Sequence, residues 1–137
     1  FKTDLTVEPY IKQIMPKQDR SSLAKFRCGV APINLEVGRY NGTAVNDRVC
    51  TLCDGRTVED EMHVLTSCPT YEDIREILYE RCNDINSDFM NMPDNQKLIF
   101  ILSNGCIARH SAKMCTEILK RRRSLLYANL CFSNYAS

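Results

Sequence analysis

At 137 residues the chain can bury one hydrophobic core but not two comfortable ones, and its 18 Lys+Arg against 17 Asp+Glu leave it nearly neutral. The longest unbroken aliphatic and aromatic run, Leu98 to Leu102, is far too short to span a bilayer. Charge is unevenly spread: 8 basic and 5 acidic side chains in residues 1–53, 3 and 10 in 54–88, and 7 and 2 in 89–137, which permits a basic surface for polyanions without a high pI.

Taken in chain order, a first helix is expected near Pro9, carrying Tyr10, Ile11, Ile14 and Met15 and ended by Pro16. A second starts at Asp19 or Ser21, turns Leu23, Phe26 and Cys28 inward and closes at Gly29. After Pro32 the segment INLEV is a short turn or helix presenting Ile33, Leu35 and Val37, and Gly38 to Asp47 is a polar connection. Asp54-Gly55 marks a turn, and Thr57 followed by Asp60 and Glu61 is a helix-start signature for residues 58–67. Pro69 opens an acidic amphipathic helix with Tyr71, Ile74, Ile77, Leu78 and Cys82 on its apolar stripe. Residues 83–93 read as a loop, and NQKLIFILSNG as a helix, with a buried strand as the alternative. Residues 106–131 form one long helical pattern with Ile107, Met114, Ile118, Leu125 and Leu126 inward. Period-2 alternation is nearly absent. The fold class is therefore all-α with little or no sheet, a single domain whose N-terminal helices and arm (1–45) and C-terminal helices (70–137) flank a metal knuckle (46–69).

That knuckle is CTLCDGRTVEDEMHVLTSCP, in which Cys50, Cys53, His63 and Cys68 follow the pattern C-x2-C-x9-H-x4-C. Two thiolates two residues apart grip one face of a tetrahedral Zn²⁺, and a His and a Cys from the next segment close the other. A closed four-ligand site leaves no position for water, so the one zinc ion is structural rather than catalytic. In a helix Glu59 and Asp60 would stand four and three residues before His63, where either could accept its second ring N–H. Cys106-x3-His110-x4-Cys115 has a similar look, but one continuous helix rotates its third member off the first pair's face and no fourth ligand lies nearby. The other cysteines, Cys28, Cys82, Cys106, Cys115 and Cys131, sit among apolar residues and read as small hydrophobes. With no apolar signal-like segment and a start at Phe1, the chain reads as a piece of something longer from a reducing, intracellular compartment, nuclear or cytoplasmic.

Lys120, Arg121, Arg122 and Arg123 can bind phosphate, and Arg20, Lys25, Arg27, Arg39 and Arg48 extend that patch if folding brings them together. Tyr40, in the polar connection, is the better candidate to stack on an unpaired base, since Phe26 reads as core. Catalysis finds no support: there is no nucleophile elbow, Gly-rich phosphate loop or His-Glu deaminase motif, and Asp94, Glu117 and Lys120 lack the spacing of a metal-dependent nuclease.

LAKFRCGVAPINLEVGRYN, VCTLC and VEDEMHVLTSCPTYEDIR together resemble the C-terminal zinc-binding region of reverse transcriptases from non-LTR retrotransposons and related element-derived proteins. The resemblance covers roughly residues 21–80 and is carried by Cys50 and Cys53, Val58-Glu59 ahead of His63, Cys68-Pro69, Tyr71 and Arg75. It implies that Cys50, Cys53, His63 and Cys68 bind zinc and that the region helps a parent polymerase chain grip RNA template or target DNA. No polymerase motif with paired catalytic aspartates occurs, so polymerase activity is not implied. The expected function is a non-enzymatic, zinc-stabilised nucleic-acid-binding module with RNA or DNA as partner and no membrane. The alternative is a protein–protein interaction module, in a domesticated transposon-derived protein, that uses the acidic helix 70–82 and an apolar groove beside the knuckle.

Overall fold

Pro16, with its fixed φ and no N–H to donate, stands immediately ahead of α1 (Lys17–Arg27) in the computed structural model, which describes residues 15–53 and 55–135, and side chains as far as Asn129. The helix expected near Pro9 lies outside these residues, apart from buried Met15. α1 buries Leu23 and Phe26 and ends where Gly29 takes φ +72°, a left-handed value that costs glycine little. Val30 N–H then reaches Lys25 carbonyl at 2.9 Å and Gly29 N–H reaches Phe26 carbonyl at 3.3 Å, the paired closure of a Schellman end. Cys28, one residue past the helix, is exposed rather than inward.

α2 (Asn34–Tyr40) takes the helical form of the short turn or helix expected at INLEV and runs beyond it, so Gly38 belongs to it rather than to the following connection. The Arg48 side chain lies flat across Gly38, donating from Nη1 to Leu35 carbonyl at 3.0 Å and from Nε to Thr43 carbonyl at 2.8 Å. A Cβ on Gly38 would stand 2.5 Å from Arg48 Cγ and 2.7 Å from its Cδ. Gly38→Ala is therefore expected to lower stability by about 1–3 kcal/mol, as overpacking does, read from urea midpoints; an unchanged midpoint would show that Arg48 can move aside freely.

α3 (Glu72–Ile85) follows a 3₁₀ turn at Pro69–Tyr71, α4 (Asp94–Ser103) is helix rather than strand, and α5 (Ala108–Tyr135) follows a 3₁₀ turn at Gly105–Ile107. The only β feature among the described residues is an isolated antiparallel bridge between Val49 and Val58, so the domain is all-α. α5 is the spine. Along it lies α1, joined by a buried bond from Thr116 Oγ1 to Ser22 Oγ at 3.0 Å, while Ser111 Oγ donates to Ile101 carbonyl of α4 at 2.8 Å. Tyr79, Phe89 and Phe100 pack ring to ring, with centroids 5.0 and 5.3 Å apart, where α3 meets α4. Of the expected inward positions, Ile107, Met114, Ile118, Tyr71, Leu78 and Cys82 are buried. Ile77, Val37 and Leu125 are exposed, since each helix covers a narrower stripe than its apolar residues span. No described helix is long and apolar enough to cross a membrane.

Candidate metal centre

Cys50, Cys53, His63 and Cys68 bring one ligand atom each to a common point, all within 4.8 Å of one another, and can hold a metal ion. The polypeptide builds this cluster from two pieces. Residues 48–50 and 57–59 pair as a minimal hairpin, Cys50 N–H to Thr57 carbonyl at 2.8 Å and Glu59 N–H to Arg48 carbonyl at 2.9 Å, and the turn between them carries Cys53. Among the described residues of that turn Arg56 is left-handed, at φ 50°. Thr70 Oγ1 donates to Leu52 carbonyl at 2.9 Å and ties the turn to the chain just beyond Cys68.

The second piece is helical from Glu61, and Asp60, not Thr57, caps it: its Oδ1 accepts from His63 N–H at 2.8 Å. In an α-helix the five residues from His63 to Cys68 would leave their side chains about 140° apart, facing different ways. Residues His63–Ser67 instead form a π turn, closed by Cys68 N–H on His63 carbonyl at 2.7 Å, and this wider turn returns Cys68 to the side of His63. Arg75, buried on α3, holds the exit by donating to Val64 carbonyl at 3.2 Å and to Cys68 carbonyl.

Cys50 and Cys68 are buried with sulfurs 4.0 Å apart, and Cys53 Sγ lies 3.5 Å from His63 Nε2, which singles out Nε2 as the ligand nitrogen. Burial lowers the His63 pKa below its ordinary value, favouring the neutral imidazole that binds metals. Burial also pushes the Cys50 thiol up, so that its thiolate needs a nearby positive charge. Neither Glu59 nor Asp60 plays the part that spacing suggested for it at the His63 ring. Asp60 is the cap, and Glu59 is 1% exposed and turned the other way, toward Arg122 of α5.

The expected phosphate-binding residues divide. Arg122 is not available to a ligand: Nη2 meets Glu59 Oε1 at 2.8 Å and Asn34 Oδ1 at 3.0 Å, and Nε meets Glu59 Oε2 at 3.1 Å. Asn34 extends this network, its N–H to Glu59 Oε1 at 2.6 Å and its Nδ2 to Val49 carbonyl at 2.6 Å, so α2, hairpin and α5 meet at one carboxylate. Arg48 is spent on carbonyls across Gly38, and Arg27 donates to Leu102 carbonyl. Arg121 grips Asp73 at 2.5 and 2.8 Å, holding that carboxyl down to about 2, and also donates to Thr70 carbonyl. Arg39 pairs with Glu36 at 2.7 Å and lies 5.2 Å over the ring of Tyr40, which is 77% exposed.

Arg20, Lys25, Lys120 and Arg123 are exposed and make no ion pair among the described residues. Lys25 and Arg123 line the same groove between α1 and α5, about 520 Å³ in volume, together with Gln18, Ser21 and Tyr127. Tyr127, 71% exposed, escaped the sequence reading although it stands four residues after Arg123, one helical turn along the same face. Cys106 and His110 are exposed while Cys115 is buried, and Cys131 lies beyond the described side chains. No protein-family model, curated protein or solved structure matches this chain.

Proposed function

We propose that this chain is a zinc-stabilised, non-enzymatic nucleic-acid-binding module, the C-terminal domain of a retroelement reverse transcriptase or of a protein derived from one, gripping RNA template or target DNA. Zinc is favoured by donor chemistry and size. Ligand bonds of about 2.3 Å for sulfur and 2.0–2.1 Å for nitrogen make tetrahedral edges of about 3.8 Å between sulfurs and about 3.5 Å from sulfur to nitrogen. The Cys50–Cys68 and Cys53–His63 separations of 4.0 and 3.5 Å lie close to these. Retroelement origin rests on the resemblance over residues 21–80.

One observation carries the nucleic-acid reading. Lys25 and Arg123, distant in sequence, face one groove beside an exposed tyrosine, a combination suited to two phosphates and an unpaired base. Arg20 and Lys120 add unpaired positive charge on the same two helices. Single-stranded RNA or DNA should bind with an affinity that falls steeply with salt. Lys25→Ala with Arg123→Ala should reduce the log–log salt slope by about 1.4, and Tyr127→Ala should weaken binding by about 1–3 kcal/mol with the slope unchanged. Fluorescence anisotropy with a labelled oligonucleotide reads both, and no binding at low salt would overturn the proposal. That result would favour the second reading, a protein-interaction module, for which Ile77 speaks: it is 69% exposed in an apolar groove of about 270 Å³ with Ile74 and Met114, between α3 and α5.

A further inference from the structure

Arg121 of α5 grips Asp73 of α3, and beyond that pair the two helices share a groove of about 270 Å³, lined by residues after 73 on α3 and before 121 on α5. They therefore run antiparallel. α3 lines the groove with Ile74, Ile77, Leu78 and Arg81, and α5 with four residues at the same i, i+3, i+4, i+7 spacing from His110 to Glu117. Leu78 and Met114 are its buried floor, while Ile77 is the most exposed large aliphatic side chain among the described residues. Ile85, seven residues past Leu78 and also exposed, carries the apolar track onward, so that from Ile74 it measures about 16 Å, or three helical turns. A valley between two helices, each presenting one such face, has the shape that receives a third amphipathic helix.

Charge decides what fits there. At about 100° per residue, Asp73, Glu76, Glu80 and Asp84 share a stripe on the side of Ile77 away from Leu78, and Arg109, Lys113 and Lys120 share one on the side of α5 away from Met114. All seven are exposed, and apart from Asp73, held by Arg121, none makes an ion pair among the described residues. The groove thus runs between an acidic ridge and a basic ridge. A nucleic-acid backbone is repelled along α3. α3 of a second copy offers Arg81 as its one exposed base and so cannot answer the acidic ridge.

We propose that this groove seats an amphipathic helix of another protein chain, about three turns long, with basic side chains on the flank that meets α3 and acidic ones on the flank that meets α5. Its aliphatic stripe, buried on Ile77, Leu78 and Met114, supplies the affinity. The flanks fix its direction, since a reversed helix sets like charges together along both ridges. The proposal rests on the second reading above, in which the α3–α5 face contacts protein, and is independent of the nucleic-acid reading, because Lys25, Arg123 and Tyr127 line a different groove.

The probe is a fluorescein-labelled synthetic peptide with leucines at i, i+3, i+4 and i+7, lysines along one flank and glutamates along the other; two control peptides carry lysines or glutamates on both flanks. Anisotropy at low salt should give the mixed peptide about 10-fold higher affinity than either control. Ile77→Asp should weaken it at least about 10-fold while leaving the melting temperature and oligonucleotide binding unchanged, since that side chain packs little within the chain. Glu76→Lys with Glu80→Lys makes both ridges basic and should move the preference to the all-glutamate peptide. Equal affinity for the three peptides, or no binding of any, would overturn the proposal. Self-association abolished by Ile77→Asp, read by sedimentation, would make a second copy the occupant and overturn it too, as would displacement of the peptide by an oligonucleotide. Wild-type protein that prefers the mixed peptide but binds no oligonucleotide would sink the nucleic-acid reading and leave this one standing.

Discussion

Chelating the metal, or replacing Cys68 with serine, is expected to abolish cooperative unfolding of residues 46–70 and to remove on the order of 10 kcal/mol of folding free energy at neutral pH. That is comparable with the whole stability of a domain this size, so the expected product is a largely unfolded chain rather than a softened one. The physical reason lies in what the cluster replaces. The hairpin holding Cys50 and Cys53 has a single β bridge, and the π turn joining His63 to Cys68 is too short to be stable alone. Ligands drawn from both pieces make each the template for the other. Without the ion, Cys50 and Cys68 become buried thiols that contribute packing and little else. Thermal melts by circular dichroism with and without chelator, beside elemental analysis of the purified protein, read the effect; a metal-free sample that still melts cooperatively near the same temperature would exclude a structural ion.

Arg122→Met is expected to cost about 3–5 kcal/mol, more than the other substitutions outside the metal ligands, because it strands the Glu59 carboxylate in the core with only Asn34 to answer it. Glu59→Gln in the same chain should recover most of the loss, since a buried pair replaced by neutral groups of similar size is often close to neutral in stability. Urea denaturation of the two single variants and the double variant forms the cycle, and additive losses would refute a direct pair. The pair also bears on nucleic-acid binding. Arg122 lines the same groove as Lys25 and Arg123, but its guanidinium is spent on Glu59 and Asn34, so its removal should act mainly through stability and change the salt slope of the folded fraction less than loss of Lys25 and Arg123.

Much of the metal site was legible because its ligands are close in sequence. Cys50 and Cys53 lie on one turn, His63 and Cys68 on the next, and the chain between them is too short to carry either pair far away. The local rules failed by small amounts. Helix-start chemistry pointed to Thr57 three residues ahead of Asp60, the cap the chain uses, because residues 57–59 are committed to the hairpin and the helix must wait for them. The π turn was invisible in HVLTS, since local rules do not separate it from an α-helical turn; it is the turn that returns Cys68 to the side of His63.

Charge was the least legible property. Four consecutive cations at 120–123 look alike as letters, yet Lys120 and Arg123 face solvent, Arg121 holds Asp73 at the surface, and Arg122 is buried on Glu59. Helical periodicity separates their directions by about 100° per residue, but which direction is the interior depends on where the hairpin and α1 pack.

The helical class, Leu23 and Phe26 as core, the Gly29 stop and the candidate ligand set Cys50, Cys53, His63 and Cys68 follow from residue types acting over a few positions, where periodicity, capping and ligand spacing suffice. The partnership of Glu59 with Arg122, the closure of Arg48 over Gly38, the burial of Tyr71 and the meeting of Lys25, Arg123 and Tyr127 in one groove were decided only by the packing of α5 against α1, α3 and the knuckle. Such contacts join residues far apart in the chain, and no local propensity encodes which distant surface a given side chain will meet.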